Sequence, residues 1–307
     1  MTKLFENRVA IVTGAGAGLG RSHALMLAEH GAKVVVNDLG GAVDGSGGSS
    51  GPAEAVVSEI EARGGQALAD GASVTEPEQV EAMVAKAVDR FGRVDVLINN
   101  AGILRDKSFA KMTLADFRAV LDVHLWGSVV CTKAVWGLMR EQEYGRVVLT
   151  TSSSGLYGNF GQANYGAAKT GMVGLMNVLA LEGARSNVLV NTLSPTARTR
   201  MTEGLGIPEE ALDAMTPQSV SAAALALCAE DAPNRTILCA GAGGYSETRI
   251  YETQGVSLPP EDQTPQGVLA RMAEIRDPEG QREMPDGSAQ TMHFLRMAAE
   301  RQAPRGG

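Results

Sequence analysis

Cysteine is scarce in this 307-residue chain: Cys131, Cys228 and Cys239 are far apart and set among apolar or small residues. An odd, scattered set supports neither a disulfide framework nor a paired-cysteine metal site, and it fits a reducing compartment. Histidine is nearly as rare. His23 and His30 lie seven apart on one predicted helix and His293 lies far downstream, with no cysteine or acidic cluster at ligand spacing. Core or surface roles are expected for them, and no metal site. No run of 18 or more apolar residues is present to span a bilayer, and Met1 to Arg8 lack the basic-then-apolar order of a signal peptide. The final Pro304-Arg305-Gly306-Gly307 is not a peroxisomal address of the Ser-Lys-Leu type, so a cytoplasmic location is expected. Positive charge is also in deficit, 27 Lys and Arg against 35 Asp and Glu for a net −8, which removes the footprint expected of nucleic-acid or anionic-membrane binding. A phosphate-bearing ligand must then be held locally, by backbone amides or a few side chains.

What is present is a globular composition, 44% hydrophobic and 20% charged, which excludes disorder as the state of most of the chain. Short β-branched or Leu-rich runs recur at Val9 to Val12, Lys33 to Asn37, Gln66 to Ala69, Val94 to Ile98, Arg146 to Thr151, Val188 to Leu193 and Thr236 to Cys239. About seven strands separated by helix-length segments predict an α/β fold, a doubly wound parallel sheet of the Rossmann type. Helix punctuation agrees. Thr75 with Glu78 has capping-box spacing around Pro77, Gly31 and Gly92 sit where helices should stop, and Thr113 with Asp116 is a weaker start signal. The glycine-rich stretch Gly40 to Gly51 reads as a surface loop, and Arg105-Asp106-Lys107 as a solvated turn. Methionines such as Met172 and Met176 read as packing. Residues 1–245 are expected to form one dinucleotide-binding, catalytic domain. Residues 246–307 hold half of the twelve prolines yet keep helical spacing at Gly267 to Ile275 and Gln290 to Ala299. They are expected to form a helical and irregular extension over the core, the substrate site or a partner subunit.

The chemistry-bearing residues fall at strand ends. After the first run comes Thr13-Gly14-Ala15-Gly16-Ala17-Gly18-Leu19-Gly20, leading into a helix predicted from Arg21 to His30. Glycines there permit a tight turn and close approach of backbone amides to a pyrophosphate, although close strand–helix packing explains them too. The second run ends in Asn37-Asp38, which puts Asp38 where a carboxylate accepts from an adenosine ribose 2′-hydroxyl and repels a 2′-phosphate. NAD is therefore favoured over NADP; Asp38 as a turn former is the alternative. Asn99-Asn100-Ala101-Gly102 closes the fourth run, beside the adenosine half of a cofactor or as an Asx turn. Tyr165 and Lys169 are i and i+4 on one predicted helix, with Ser152 at the end of the fifth run. A phenol of pKa about 10 is a poor base at neutral pH, and a neighbouring ammonium stabilises its phenolate. Ser152 would hold a substrate oxygen while hydride passes to a nicotinamide.

In this order and at these distances the motifs resemble the short-chain dehydrogenase/reductase family over about residues 5 to 245. Within it, Val34 to Gly41, Asn99 to Ala110, Val123 to Leu125 and Gly155 to Ala168 are similar to the (3R)-hydroxyacyl-CoA dehydrogenases of the multifunctional enzyme type 2 subfamily, also named 17β-hydroxysteroid dehydrogenase type 4. The resemblance implies Tyr165 as general base, Lys169 as its partner and Ser152 as donor to the substrate oxygen. It implies NAD contacts from Gly14, Gly18, Leu19, Gly20, Asp38, Ser73, Val74, Asn100, Gly102, Tyr165, Lys169, Ala197 and Thr199. The implied substrate is a 3-hydroxyacyl-CoA, with Arg198 or Arg200 available to a CoA phosphate. A hydroxysteroid or other bulky alcohol, and an NAD-binding scaffold without turnover, are the alternatives. The family usually has Asn where this chain has His124, a candidate for the same proton relay, and Pro-Gly where this chain has Pro195-Thr196. It also pairs subunits through the Tyr165 helix, whose face of Gly171, Gly174, Leu175 and Val178 suits a homodimer or homotetramer.

Overall fold

Strand runs that are apolar on both faces can be buried on both sides, and here they pair into a parallel sheet. A computed structural model describes residues 3–197 and 213–302. The strands are β1 (Val9–Thr13), β2 (Lys33–Asn37), β3 (Gln66–Asp70), β4 (Val96–Asn99), β5 (Gly145–Thr150), β6 (Val188–Thr196), β7 (Ile237–Gly241) and β8 (Gly244–Thr248). They lie in the order β3-β2-β1-β4-β5-β6-β7-β8, and every pairing from β3 to β7 is parallel. The eighth strand corrects the expectation of seven. Ala242 and Gly243 both have positive φ, 50° and 77°, the twist of a two-residue hairpin turn that sends β8 back along β7. Its side chains are mostly exposed, so no hydrophobic alternation marks it in the sequence.

The helices between strands are α1 (Gly18–Glu29), α2 (Gly51–Ala62), α3 (Pro77–Phe91), α4 (Leu114–Leu121), α5 (Gly127–Glu141), α6 (Ser153–Tyr157), α7 (Ala163–Gly183) and α8 (Pro217–Ala226). Two cores result, one on each face of the sheet. Ala10 and Val12 of β1 join α1, α2 and α8 on one side, and Ile11 joins α3, α5 and α7 on the other, the period of two expected of a strand. Gly92 ends α3 with φ 85°. Thr113 caps α4, accepting from the Asp116 amide at 3.0 Å and donating to its carboxylate at 2.8 Å. The Thr75 expectation fails: the Thr75 hydroxyl lies 2.8 Å from that of Ser73, and α3 starts after Glu76 with no side-chain cap. α1 begins at Gly18, three residues before the expected start, because the glycine turn itself winds into the helix. Strand order reverses about β1, whose neighbours are β2 and β4, so a crevice opens at the carboxyl ends of β1 and β4.

The chain divides into compact units at Glu247 and Thr248. In the second unit β9 (Tyr251–Glu252) pairs antiparallel with β10 (Arg282–Glu283) beside α9 (Pro265–Ala270), α10 (Met272–Ile275) and α11 (Gly287–Gln302). Thr264 caps α9 through the Gly267 amide, and the buried His293 lies 3.1 Å from the Gln254 carbonyl. Among the described residues no helix is long and apolar enough to cross a membrane.

Candidate active site

The turn after β1 is shaped by what a side chain would strike. Gly14 and Gly18 have φ of 64° and 54°, and a Cβ on Gly14 would lie 2.8 Å from Ala101 Cα. A Cβ on Gly20 would come within 2.2 Å of the Gly14 carbonyl oxygen. Gly20 therefore packs α1 onto the turn and is not among the residues lining the cavity above it. The end of β4 is locked to this turn. Asn100 Nδ2 donates to the carbonyls of Thr13 and Gly14 at 3.0 and 3.1 Å, while Thr13 Oγ1 accepts from the amides of Asn100 and Ala101. Gly14, Gly18, Leu19, Asp38, Ser73, Val74, Asn100 and Gly102 line a cavity of 390 Å³, within the usual size of a small-molecule site. Asp38 accepts from the Gly16 and Gly40 amides, one on each oxygen at 2.7 Å, which leaves each oxygen a further lone pair.

The glycine-rich loop is largely exposed, as expected, yet part of it also lines the site. Gly41, Ala42, Val43 and Gly45 line the same cavity, because the loop after β2 folds back: the Leu104 amide donates to Val43 O and Arg105 Nε to Asp44 O, both at 3.0 Å. Arg105, Asp106 and Lys107 do not line the cavity, and Asp106 and Lys107 are exposed as a solvated turn would be, but all three have partners. Arg105 and Lys107 pair with Asp116, Asp106 accepts from Gln162 at 2.6 Å, and the Lys107 amide donates to Gly161 O.

The side chains expected to do chemistry meet beyond Gly102, where a Cβ would lie 2.1 Å from His124 Cε1. The His124 and Tyr165 rings meet edge-on at 5.1 Å, and Lys169 Nζ lies 5.4 Å from the Tyr165 ring centre. Lys169 Nζ donates to Thr150 O at 2.7 Å, and its own carbonyl accepts from Thr151 Oγ1. Burial pushes the Lys169 ammonium down to about 7. Burial also pushes the Tyr165 phenol up, with the Ser152 hydroxyl pulling it back and the Asp106 charge adding to the rise. Desolvation is the largest influence on both groups and disfavours the charged form of each. Ser152 Oγ accepts from the Ser154 amide at 3.2 Å at the start of α6. Asn164, not singled out in the sequence, is fully buried between the two halves: its Nδ2 donates to Arg105 O and its Oδ1 accepts from the Tyr165 amide.

His124 lies on a π-turn, Asp122–Trp126, that joins α4 to α5. Its Nε2 is 2.8 Å from Ile103 O and 3.1 Å from Ile103 N, while the buried Nδ1 has no hydrogen-bond partner among the described residues. Burial first, then the Lys169 charge, hold the ring well below its usual pKa, hence neutral. Ala197 is buried just beyond the end of β6. Thr199, Arg198 and Arg200 lie outside the described residues.

The short chain dehydrogenase profile matches residues 8–209. The chain belongs to the short-chain dehydrogenase/reductase family. It is 48% identical over 278 residues to a putative short-chain type dehydrogenase/reductase of Mycobacterium tuberculosis, covering 90% of this chain and 96% of that protein. It is 49% identical over 251 residues to the peroxisomal multifunctional enzyme type 2 of Drosophila melanogaster, covering 82% of this chain but 41% of that one. The full-length structure of that enzyme superposes on 99% of this chain and 51% of its own length, with a TM-score of 0.81 and 36% identity over the longer span. A 7α-hydroxysteroid dehydrogenase complexed with NADH and 7-oxo glycochenodeoxycholic acid superposes on 78% of this chain and 95% of its own, with a TM-score of 0.70 and 30% identity.

For a short-chain dehydrogenase/reductase, the His124 departure has a structural consequence. The imidazole Nε2 is bonded to the backbone of Ile103, directly after Gly102, either donating to its carbonyl or accepting from its amide according to the tautomer, so the side chain holds the lining of the cavity as well as facing Tyr165.

Proposed function

We infer that this oxidoreductase uses NAD to interconvert a (3R)-3-hydroxyacyl-CoA and the 3-oxoacyl-CoA. The observation that carries the reading is the group of buried Ser152 and Lys169 with the half-buried Tyr165, which faces His124 beside a cavity floored by glycine. The floor fits a dinucleotide: glycines leave room for a pyrophosphate, and the α1 N-terminus favours its charge. Asp38 suits a ribose 2′-hydroxyl and repels a 2′-phosphate. When bound, NAD supplies the hydride acceptor for the alcohol carbon.

Ser152 donates to the substrate oxygen, and the Tyr165 phenolate oxygen takes the hydroxyl proton as hydride leaves. Lys169, held on Thr150 O and titrating near 7, stabilises that phenolate in its ammonium form. His124 stays neutral and holds Ile103 against the cavity, with Nδ1 left for a proton relay. Phe109 and Phe160 are 75% and 91% exposed and lie close in the chain to Lys107 and Gly161, whose backbones are bonded, and they are the apolar surface proposed for an acyl chain. A bulky alicyclic alcohol is the second reading, favoured by the likeness to the 7α-hydroxysteroid dehydrogenase. The test is NADH formation from (3R)- and (3S)-hydroxyacyl-CoA and a 17β-hydroxysteroid. Turnover of the (3R) thioester alone supports the reading, steroid turnover alone selects the second, and silence on all three leaves a binding scaffold.

The working unit is a homodimer or homotetramer paired through α7. Gly174, Val178 and Leu181 are exposed along it, and the partly exposed Gly171 shares their side of the helix while lying close to Leu125 of its own chain. Sedimentation at a single monomer mass would refute the pairing.

A further inference from the structure

The loop between β2 and α2 starts beside Asp38 and reaches across the carboxyl end of β1 to the segment after β4. Its neck is closed by the Ser49 amide on Leu39 O, and a Cβ on Gly40 would lie 1.9 Å from Ser49 O, so the turn requires glycine. Internally, the Ala42 amide donates to Ser46 O and the Gly45 amide to Ala42 O. The far side is held by the Leu104 amide on Val43 O and by Arg105 Nε on Asp44 O. Gly45 sits against Ile103, where a Cβ would come within 3.2 Å of the side chain. The loop thus lies over the glycine turn and lines the cavity whose floor that turn provides.

We propose that residues 40–49 form a strap across the cofactor crevice and that Arg105 is its latch, so that strap opening limits cofactor exchange. The proposal rests on the reading of that crevice as a dinucleotide site. Loop chain rich in glycine can leave the crevice without breaking core packing, and few bonds hold it shut. The latch is also registered against the chemistry: the Arg105 carbonyl accepts from Asn164 Nδ2, and Asn164 Oδ1 holds the Tyr165 amide. A closed strap therefore shares one segment, 103–107, with the helix that presents Tyr165.

The experiment is stopped-flow NADH binding, followed by fluorescence, on the full chain and on Arg105→Ala and Gly45→Ala. The first variant removes the latch bond, and the second strains a residue at φ 88° and pushes the strap off Ile103. Association and dissociation should both accelerate by about tenfold, the equivalent of one charge-assisted hydrogen bond, with Kd moving less than about threefold in Arg105→Ala, whose side chain does not line the cavity; Gly45→Ala, which also changes the lining, is read on the two rates alone. Hydrogen exchange at the Ala42 and Gly45 amides should quicken in Arg105→Ala. Unchanged rates in both variants would overturn the strap. So would dissociation that rises alone with Kd in step, since that marks a direct ligand contact and no gate. A wild-type chain that binds no NADH would overturn the dinucleotide reading itself, and with it the strap.

Discussion

The two ends of the sheet are built on opposite terms. At the amino ends of the strands, charge is buried and fully partnered. Arg146 donates to the carbonyls of Gly145, Asn187, Ala229 and Glu230, and Tyr144 lies between its guanidinium at 4.2 Å and that of Arg8 at 3.5 Å. Asp95 takes Arg8, Arg93 and the Val9 amide. At the carboxyl ends, the Lys169 ammonium is desolvated and His124 Nδ1 has no partner among the described residues. Satisfied polar groups hold a fold in place, whereas groups kept short of partners retain capacity for a ligand or a proton.

That contrast can be broken most sharply at Tyr165. Tyr165→Phe removes one oxygen at the carboxyl end, and kcat should fall by about a thousandfold or more, the range of a lost general base, with the melting temperature nearly unchanged. Equal losses of kcat and of stability would erase the distinction between the two ends. Arg146→Leu is the mirror experiment. It strands several buried carbonyls and should cost about 3 kcal/mol of unfolding free energy in urea, while the folded fraction keeps its kcat.

A smaller effect separates burial from function. His23 of α1 is fully buried against Ser221 of α8, and burial pushes its pKa down to about 4. A base depressed on folding contributes full stability above its unfolded pKa of about 6.5, and loses it as pH falls toward 4 while the unfolded chain takes up the proton. Urea melts should therefore show His23 costing about 2 kcal/mol between pH 7.5 and 5.0, and His23→Gln should remove that share of the slope. His124, also depressed by burial, adds to the slope in the same direction and remains in that variant. An unchanged slope would show that the His23 shift does not contribute.

Much of the frame was legible because its causes are local. A glycine at a turn needing positive φ, an i and i+4 tyrosine and lysine, and Thr113 facing Asp116 are neighbours in the chain and act as such. The strand after Gly243 was not, since its exposed side chains carry no alternation, and a serine two residues away deprived Thr75 of its capping role. Arg146 looked like an ordinary strand residue. Its partners lie 41 and more residues downstream, apart from the Gly145 carbonyl beside it.

The sequence by itself determined the α/β class, the order of the strands along the chain, the glycine turn with Asp38, and which residues are the candidates for the chemistry. Tertiary structure alone decided that the glycine-rich loop crosses the crevice and that Gly20 packs and does not line. It also decided that Tyr165 is raised and Lys169 lowered. Each of these depends on desolvation or on contact between distant segments, and neither is set until the chain has closed around the groups concerned.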